Sequence, residues 1–183
     1  MSLQKVDADQ KNNTHKRFFS NRFIVGTIII SLSVILDQIS KLLVELHLPF
    51  GEFVAVFPSF AMYRTWNEGV AFSFLAGHGS TALVILAILV VGVVIWLWKS
   101  SPKERVWLST GYAMIIGGAI GNIIDRGLYG HVVDFIMIYY QSWSFAIFNI
   151  ADCFITVGVI FIILDEVWAA YKAKNTTQND TIS

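Results

Sequence analysis

The chain has a single cysteine, Cys153, among its 183 residues. One thiol excludes an intramolecular disulfide and argues against a cysteine-based metal site. Cys153 lies in an apolar run and reads as a small buried hydrophobe. Charge is also scarce. Only 14% of the residues are charged and 55% are hydrophobic, whereas a soluble domain carries about 25% charged residues. With a mean hydropathy of +0.61, the composition is that of a membrane protein. Thirteen basic and thirteen acidic residues cancel, so no bulk field invites nucleic acid or an acidic substrate. His15, His47, His78 and His131 show no metal-ligand spacing, and neither H-E-x-x-H nor G-x-S-x-G occurs. No metal or other cofactor is expected. No internal repeat is visible.

Long apolar runs are what the sequence does have. A membrane span needs about 20 mainly apolar residues. Four segments qualify, at about 23–46, 81–98, 106–124 and 147–168. Trp96, Trp98, Trp107 and Trp168 fall near span ends, where amphipathic rings favour the interface. The first span is too long for a signal-peptide core and no small-x-small site follows it, so it reads as retained. The expected organisation is a polar tail over 1–20, one four-span domain over 21–171 and a polar tail over 172–183, with both tails mobile. Lys5, Lys11, Lys16, Arg17, Arg22, Lys99, Lys103, Arg105, Lys172 and Lys174 all fall on one side of a four-span chain. They make up ten of the thirteen basic residues. The positive-inside bias places both termini in the cytoplasm and the connections 47–80 and 125–146 outside.

With that orientation the unusual polar residues gather at the outer leaflet. Asp37 and Lys41 lie in the outer half of span one, spaced i, i+4 with the acid first, and read as an ion pair or as support for other backbone groups. Asn122, Asp125 and Arg126 lie at the outer end of span three, where Asp125 and Arg126 read as an interfacial ion pair. Asn149 and Asp152 lie in the first turn of span four. Asn67 and Asp134 lie in the outer connections. Gly117 and Gly121 give span three a small face for helix packing. Asp165 and Glu166 read as a solvated cytoplasmic face. Ser40 next to Lys41 makes no nucleophile pair, because helix neighbours diverge by about 100°. Asp134 and Asp152 are the two acids least explained by local pairing, and neither has a Lys or Arg within four residues. Two carboxylates at a low-dielectric boundary do not both ionise cheaply. Such a pair can activate water with one member and protonate a carbonyl oxygen or leaving amine with the other.

Five ordered motifs carry a family resemblance: "DQISK" at 37–41, "NEGVAF" at 67–72, "GGAIGNIIDR" at 117–126, "VVDF" at 132–135 and "FNIAD" at 148–152. Over about residues 20–170 the chain resembles bacterial lipoprotein signal peptidase, the type II signal peptidase. The resemblance implies an intramembrane aspartic endopeptidase that cuts diacylglyceryl-modified prolipoproteins just before the lipidated cysteine. Asp134 and Asp152 would be the catalytic dyad. Asn67, Asn122, Arg126 and Asn149 would line the substrate site, with Asp37, Lys41 and Asp125 in support. The expected fold is all-α in the membrane, with four transmembrane helices and a small β-rich cradle between spans one and two. A short element near 128–145 would act as a lid. Prolipoproteins, membrane lipids and globomycin-type inhibitors are the expected partners of a monomer in the bacterial inner membrane. Independently, "FGEFVAVFPSFAMYRTW" at 50–66 reads as strands punctuated by Gly and Pro.

Composition alone also admits a small proton- or cation-coupled transporter with Asp37, Asp134 and Asp152 as sites, or an assembly subunit with "GGAIG" as its interface. Against the transporter, the acids lie near one face rather than at the midplane, and no inverted repeat is visible.

Overall fold

Pro49, Pro58 and Pro102 all fall between regular elements, as the missing N–H requires. The computed structural model describes residues 3–69, 79–141 and 143–180, with side chains over 22–69, 80–141 and 143–175. In chain order the elements are α1 (Leu3–His47), β1 (Phe53–Phe57), β2 (Phe60–Asn67), α2 (Gly79–Ser100), α3 (Val106–Tyr129), β3 (Val132–Tyr140), β4 (Trp143–Phe148) and α4 (Ile150–Asp180). Three stretches, Arg22–His47, Ser80–Ser100 and Val106–Tyr129, are long and apolar enough to cross a membrane. Helical backbone runs into both polar tails, whose sequences contain no Gly or Pro to stop it.

Helix α3 is the axis of the bundle and packs on α1, α2 and α4. Its small residues make this possible. A Cβ on Gly117 would sit 2.6 Å from Ser33 of α1, and one on Gly111 would sit 2.6 Å from the Gly158 carbonyl oxygen of α4. At both places the helices touch backbone to backbone. Trp98, Leu108, Tyr112, Ala113 and Ile116 form one core cluster near the Arg22 end.

The two connections at the other end form a single antiparallel sheet in the order β1-β2-β3-β4. This corrects the expected layout. The cradle draws half of its strands from the segment after α3, and the element expected as a lid over 128–145 is mostly the β3–β4 hairpin. The fourth helix also starts later than expected, because Ile147 and Phe148 belong to β4. Strand and helix are both apolar there, so hydropathy passes over the boundary. The sheet is seated on the helices by a second core cluster of Val44, Leu48, Val133 and Phe135. Arg64 of β2 donates to the Glu45 and Leu48 carbonyls at 2.9 and 3.0 Å, capping the open end of α1.

Candidate active site

Strand periodicity aims Asp134. In β3, Val133 and Phe135 face the core cluster, so Asp134 points to the opposite side. It is 3% exposed, and both of its carboxylate oxygens are occupied. Asn67 Nδ2 donates to Oδ2 at 3.0 Å and Asn149 Nδ2 donates to Oδ1 at 2.7 Å. Asn67 comes from β2, where Thr65 pairs with Asp134 and Asn67 with Val132. The contact is therefore a diagonal cross-strand pair on one face.

Helix capping places Asp152. Asn149 Oδ1 accepts the Asp152 N–H at 3.0 Å, and Asp152 Oδ2 accepts the Asn149 N–H at 3.2 Å. This is a reciprocal capping box that opens α4, with Asp152 as its third residue. A carboxylate also favours the positive end of the helix dipole. Asn149 is thus the cap rather than a first-turn residue, and it touches both acids. Asn122 closes the circuit: its Nδ2 donates to Asp152 Oδ1 at 2.9 Å, and its Oδ1 accepts from Asn149 Nδ2 at 3.2 Å.

A buried ionic layer lies beneath. Lys41 Nζ reaches Asp37 Oδ2 at 2.8 Å, Asp125 Oδ2 at 2.7 Å and Asn122 Oδ1 at 3.1 Å. Asp37 Oδ1 in turn accepts the Ala151 N–H at 2.9 Å, so α1 caps the first turn of α4. The i, i+4 pair expected from the sequence is present. The expected Asp125–Arg126 pair is not: Asp125 turns toward α1, where it meets Lys41 and accepts from Gln38 Nε2 at 2.8 Å. Adjacent residues on a helix diverge too far for both to face one groove. Arg126 Nε is buried and has no hydrogen-bond partner among the described residues. The charges of Asp134, Asp152 and Asp125 all act on its guanidinium. Gln38 and Arg64 were not singled out from the sequence; Gln38 lies within "DQISK" itself. At the other end Asp165 and Glu166 both pair with Arg105; the Glu166 side chain is solvated as expected, whereas that of Asp165 is largely buried. Cys153 is only partly buried. Residues 70–72 of "NEGVAF" lie outside the described residues.

Burial pushes the Asp134 carboxyl up to about 6, and the negative charge of Asp152 adds to the rise. The Asn67 and Asn149 amides and Lys41 pull it the other way. A carboxyl raised from its usual 3.8 binds more protons folded than unfolded. Its contribution to stability is full below pH 4 and is lost as the pH rises through 6, by about 3 kcal/mol. Asp134→Asn removes this dependence. Between pH 4.5 and 7.5 the melting temperature of the variant should therefore gain on that of the wild type; thermal melting in detergent at the two pH values measures it. Parallel curves would show that Asp134 does not titrate in this range.

Comparison with known proteins finds relatives by sequence and by fold. The family model described as signal peptidase (SPase) II matches residues 29–168. The lipoprotein signal peptidase of Sinorhizobium fredii (strain NBRC 101917 / NGR234) is 49% identical over 148 residues, covering 81% of this chain and 89% of that protein. The one from Mesorhizobium japonicum is 48% identical, covering 76% and 83%. A bacterial membrane enzyme solved at 1.9 Å superposes with a TM-score of 0.69 at 32% identity, covering 76% of this chain and 90% of that one.

Proposed function

The chain belongs to the signal peptidase II family, and we propose that it is a membrane aspartic endopeptidase that removes signal peptides from prolipoproteins with Asp134 and Asp152 as its catalytic dyad. The observation that carries the dyad is Asn149, which donates from its side chain to one carboxylate and from its backbone to the other. One residue therefore fixes both acids, each from a different element.

In the reaction one carboxylate is ionised and takes a proton from water. The other is protonated and donates to the scissile carbonyl oxygen as the water attacks. The first acid then passes its proton to the leaving amine as the C–N bond breaks, and the second recovers its proton from a hydroxyl of the tetrahedral intermediate. The pair titrates as a unit. Burial favours the protonated form of Asp134. Asn67 and Asn122 orient the acids, and the ionic layer of Asp37, Lys41 and Asp125 holds α1, α3 and α4 in register. In this reading α4 is the fourth span, since no charge interrupts residues 153–164. Both termini are cytoplasmic and the dyad faces the outer leaflet of the inner membrane. The substrate carries diacylglycerol on its cysteine, and cleavage falls just before that residue. The enzyme works as a monomer among membrane lipids and is open to globomycin-type inhibitors.

Purified protein incubated with a lipidated lipobox peptide should release a fragment ending just before the cysteine. No release, or release at another bond, would overturn the assignment. The orientation has its own test. In a Cys153→Ser background, a cysteine at position 101 should resist an impermeant thiol reagent in intact cells, and labelling there would reverse the topology.

Among the described residues Arg126 is a cation of the site with no hydrogen-bond partner at its buried Nε, suited to hold a substrate carbonyl or lipid oxygen. Arg126→Lys keeps the charge but loses the planar two-pronged contact. Catalytic efficiency should fall about 10- to 100-fold, as for loss of a charge-assisted hydrogen bond, while the melting temperature hardly moves. Equal loss of stability and activity would make Arg126 a structural residue.

A further inference from the structure

We propose that the cavity between α1 and α3 at the end of the bundle remote from the dyad binds an anionic glycerophospholipid from that leaflet. The inference is independent of the reaction assigned to the dyad. The cavity holds about 270 Å³, and Arg22, Val25, Ile29, Lys103, Ser109 and Thr110 are among its lining residues. Arg22 opens the apolar stretch of α1 and Val106 opens that of α3, so the cavity lies at headgroup depth. Arg22 is fifteen residues before Asp37 on the same helix, about 22 Å away along its axis.

The chemistry of the lining selects the ligand. Arg22 is 8% exposed. Its guanidinium donates to the Trp98 carbonyl, to the Ser101 carbonyl at 3.1 Å and to Ser101 Oγ at 2.9 Å. Those acceptors are neutral, so they fix the cation in place without discharging it. No described carboxylate lies within ion-pair distance of it, although the charge of Glu104 acts from the adjoining loop. Ser109 Oγ accepts the Trp98 indole proton at 2.7 Å, which leaves its own hydroxyl hydrogen to donate. The lining thus offers the positive charge of Arg22 and Lys103 together with hydroxyl groups, which suits a phosphodiester. Val25 and Ile29 form an apolar wall that continues along the helix into the bilayer, which suits the acyl chain below it. Free phosphate would use only the polar half. A zwitterionic headgroup brings its own cation against Arg22 and Lys103. Basic pockets between membrane helices bind anionic headgroups for the same reasons.

The test is native mass spectrometry of the full chain released from nanodiscs of equal phosphatidylglycerol and phosphatidylcholine. The wild type should retain phosphatidylglycerol about tenfold over phosphatidylcholine. Arg22→Gln should abolish the preference, but it also cuts the Trp98 and Ser101 contacts. Val25→Trp and Thr110→Phe fill the cavity from opposite walls and leave Arg22 in place. Whichever of these melts like the wild type in pure phosphatidylcholine should bring the preference below about twofold. Inorganic phosphate added to phosphatidylcholine nanodiscs should give no thermal shift. The proposal fails if the wild type shows no preference, if a stable filled variant keeps it, or if phosphate alone reproduces the stabilisation.

Discussion

Asp134→Asn and Asp152→Asn each lower turnover of a lipidated lipobox peptide by about 10²–10⁴-fold, the range for loss of a general acid or base, and the double variant loses little more. Non-additivity follows from the geometry. Asn149 ties both acids into one circuit, and neither alone can both deprotonate water and protonate the carbonyl. Asparagine is the informative replacement because each acid also has a structural task. Asp152 Oδ2 accepts the Asn149 N–H in the capping box, and an amide oxygen can do the same. Asp152→Ala would add the loss of a cap, about 0.5–2 kcal/mol, and mix folding with chemistry. The Asn variants should therefore insert and fold while losing activity, with Asp134→Asn gaining on the wild type in melting temperature as the pH rises toward 7.5. Turnover within about tenfold of the wild type in either purified variant would remove that acid from the dyad.

The membrane class and the Asp37–Lys41 pair were legible in the sequence, because the first rests on composition and the second on local spacing. What it hid is long-range or masked by apolarity. Asp125 looked bound to its neighbour Arg126. Its real partners, Gln38 and Lys41, lie on another helix more than eighty residues away. The capping box is present in the letters "NIAD", an N-cap asparagine followed three residues later by an acid. It was obscured because β4 before it and α4 after it are equally apolar, so strand, cap and helix merged into one apparent span. The β3–β4 hairpin was missed for a related reason. Both faces of β3 are buried at its start, over Val132, Val133, Asp134 and Phe135, so the alternation that marks a half-exposed strand is absent there. Arg64 gave no signal at all, since carbonyls at the end of α1 are not a feature of side-chain sequence.

Lys41→Met should be the most damaging substitution outside the dyad, and its effect should be on stability first. Asp37, Lys41 and Asp125 are respectively 0, 4 and 2% exposed. The ammonium donates to Asp37 and Asn122 and forms a close ion pair with Asp125. One cation faces two carboxylates, and the remaining negative charge is met by the Ala151 N–H at the positive end of α4. Methionine matches the length of the lysine stem but supplies no charge, leaving two carboxylates facing each other in a buried layer. Breaking a buried pair from one side costs about 3–5 kcal/mol, because the other partner keeps its desolvation penalty. For a chain of this size that corresponds to a fall in melting temperature of about 6–20 °C. The second half of the argument is a rescue. Lys41→Met combined with Asp125→Asn removes one of the two stranded charges, keeps an acceptor for Gln38 and leaves Asp37 on the α4 cap. The double variant should melt higher than Lys41→Met alone, with a coupling of about 1–3 kcal/mol between the two sites. Thermal melting of the three proteins in one detergent measures both parts. If Lys41→Met melts within about 2 °C of the wild type, the ionic layer does not hold the helices together. If the double variant melts below the single one, the stranded charge is not the cause of the loss.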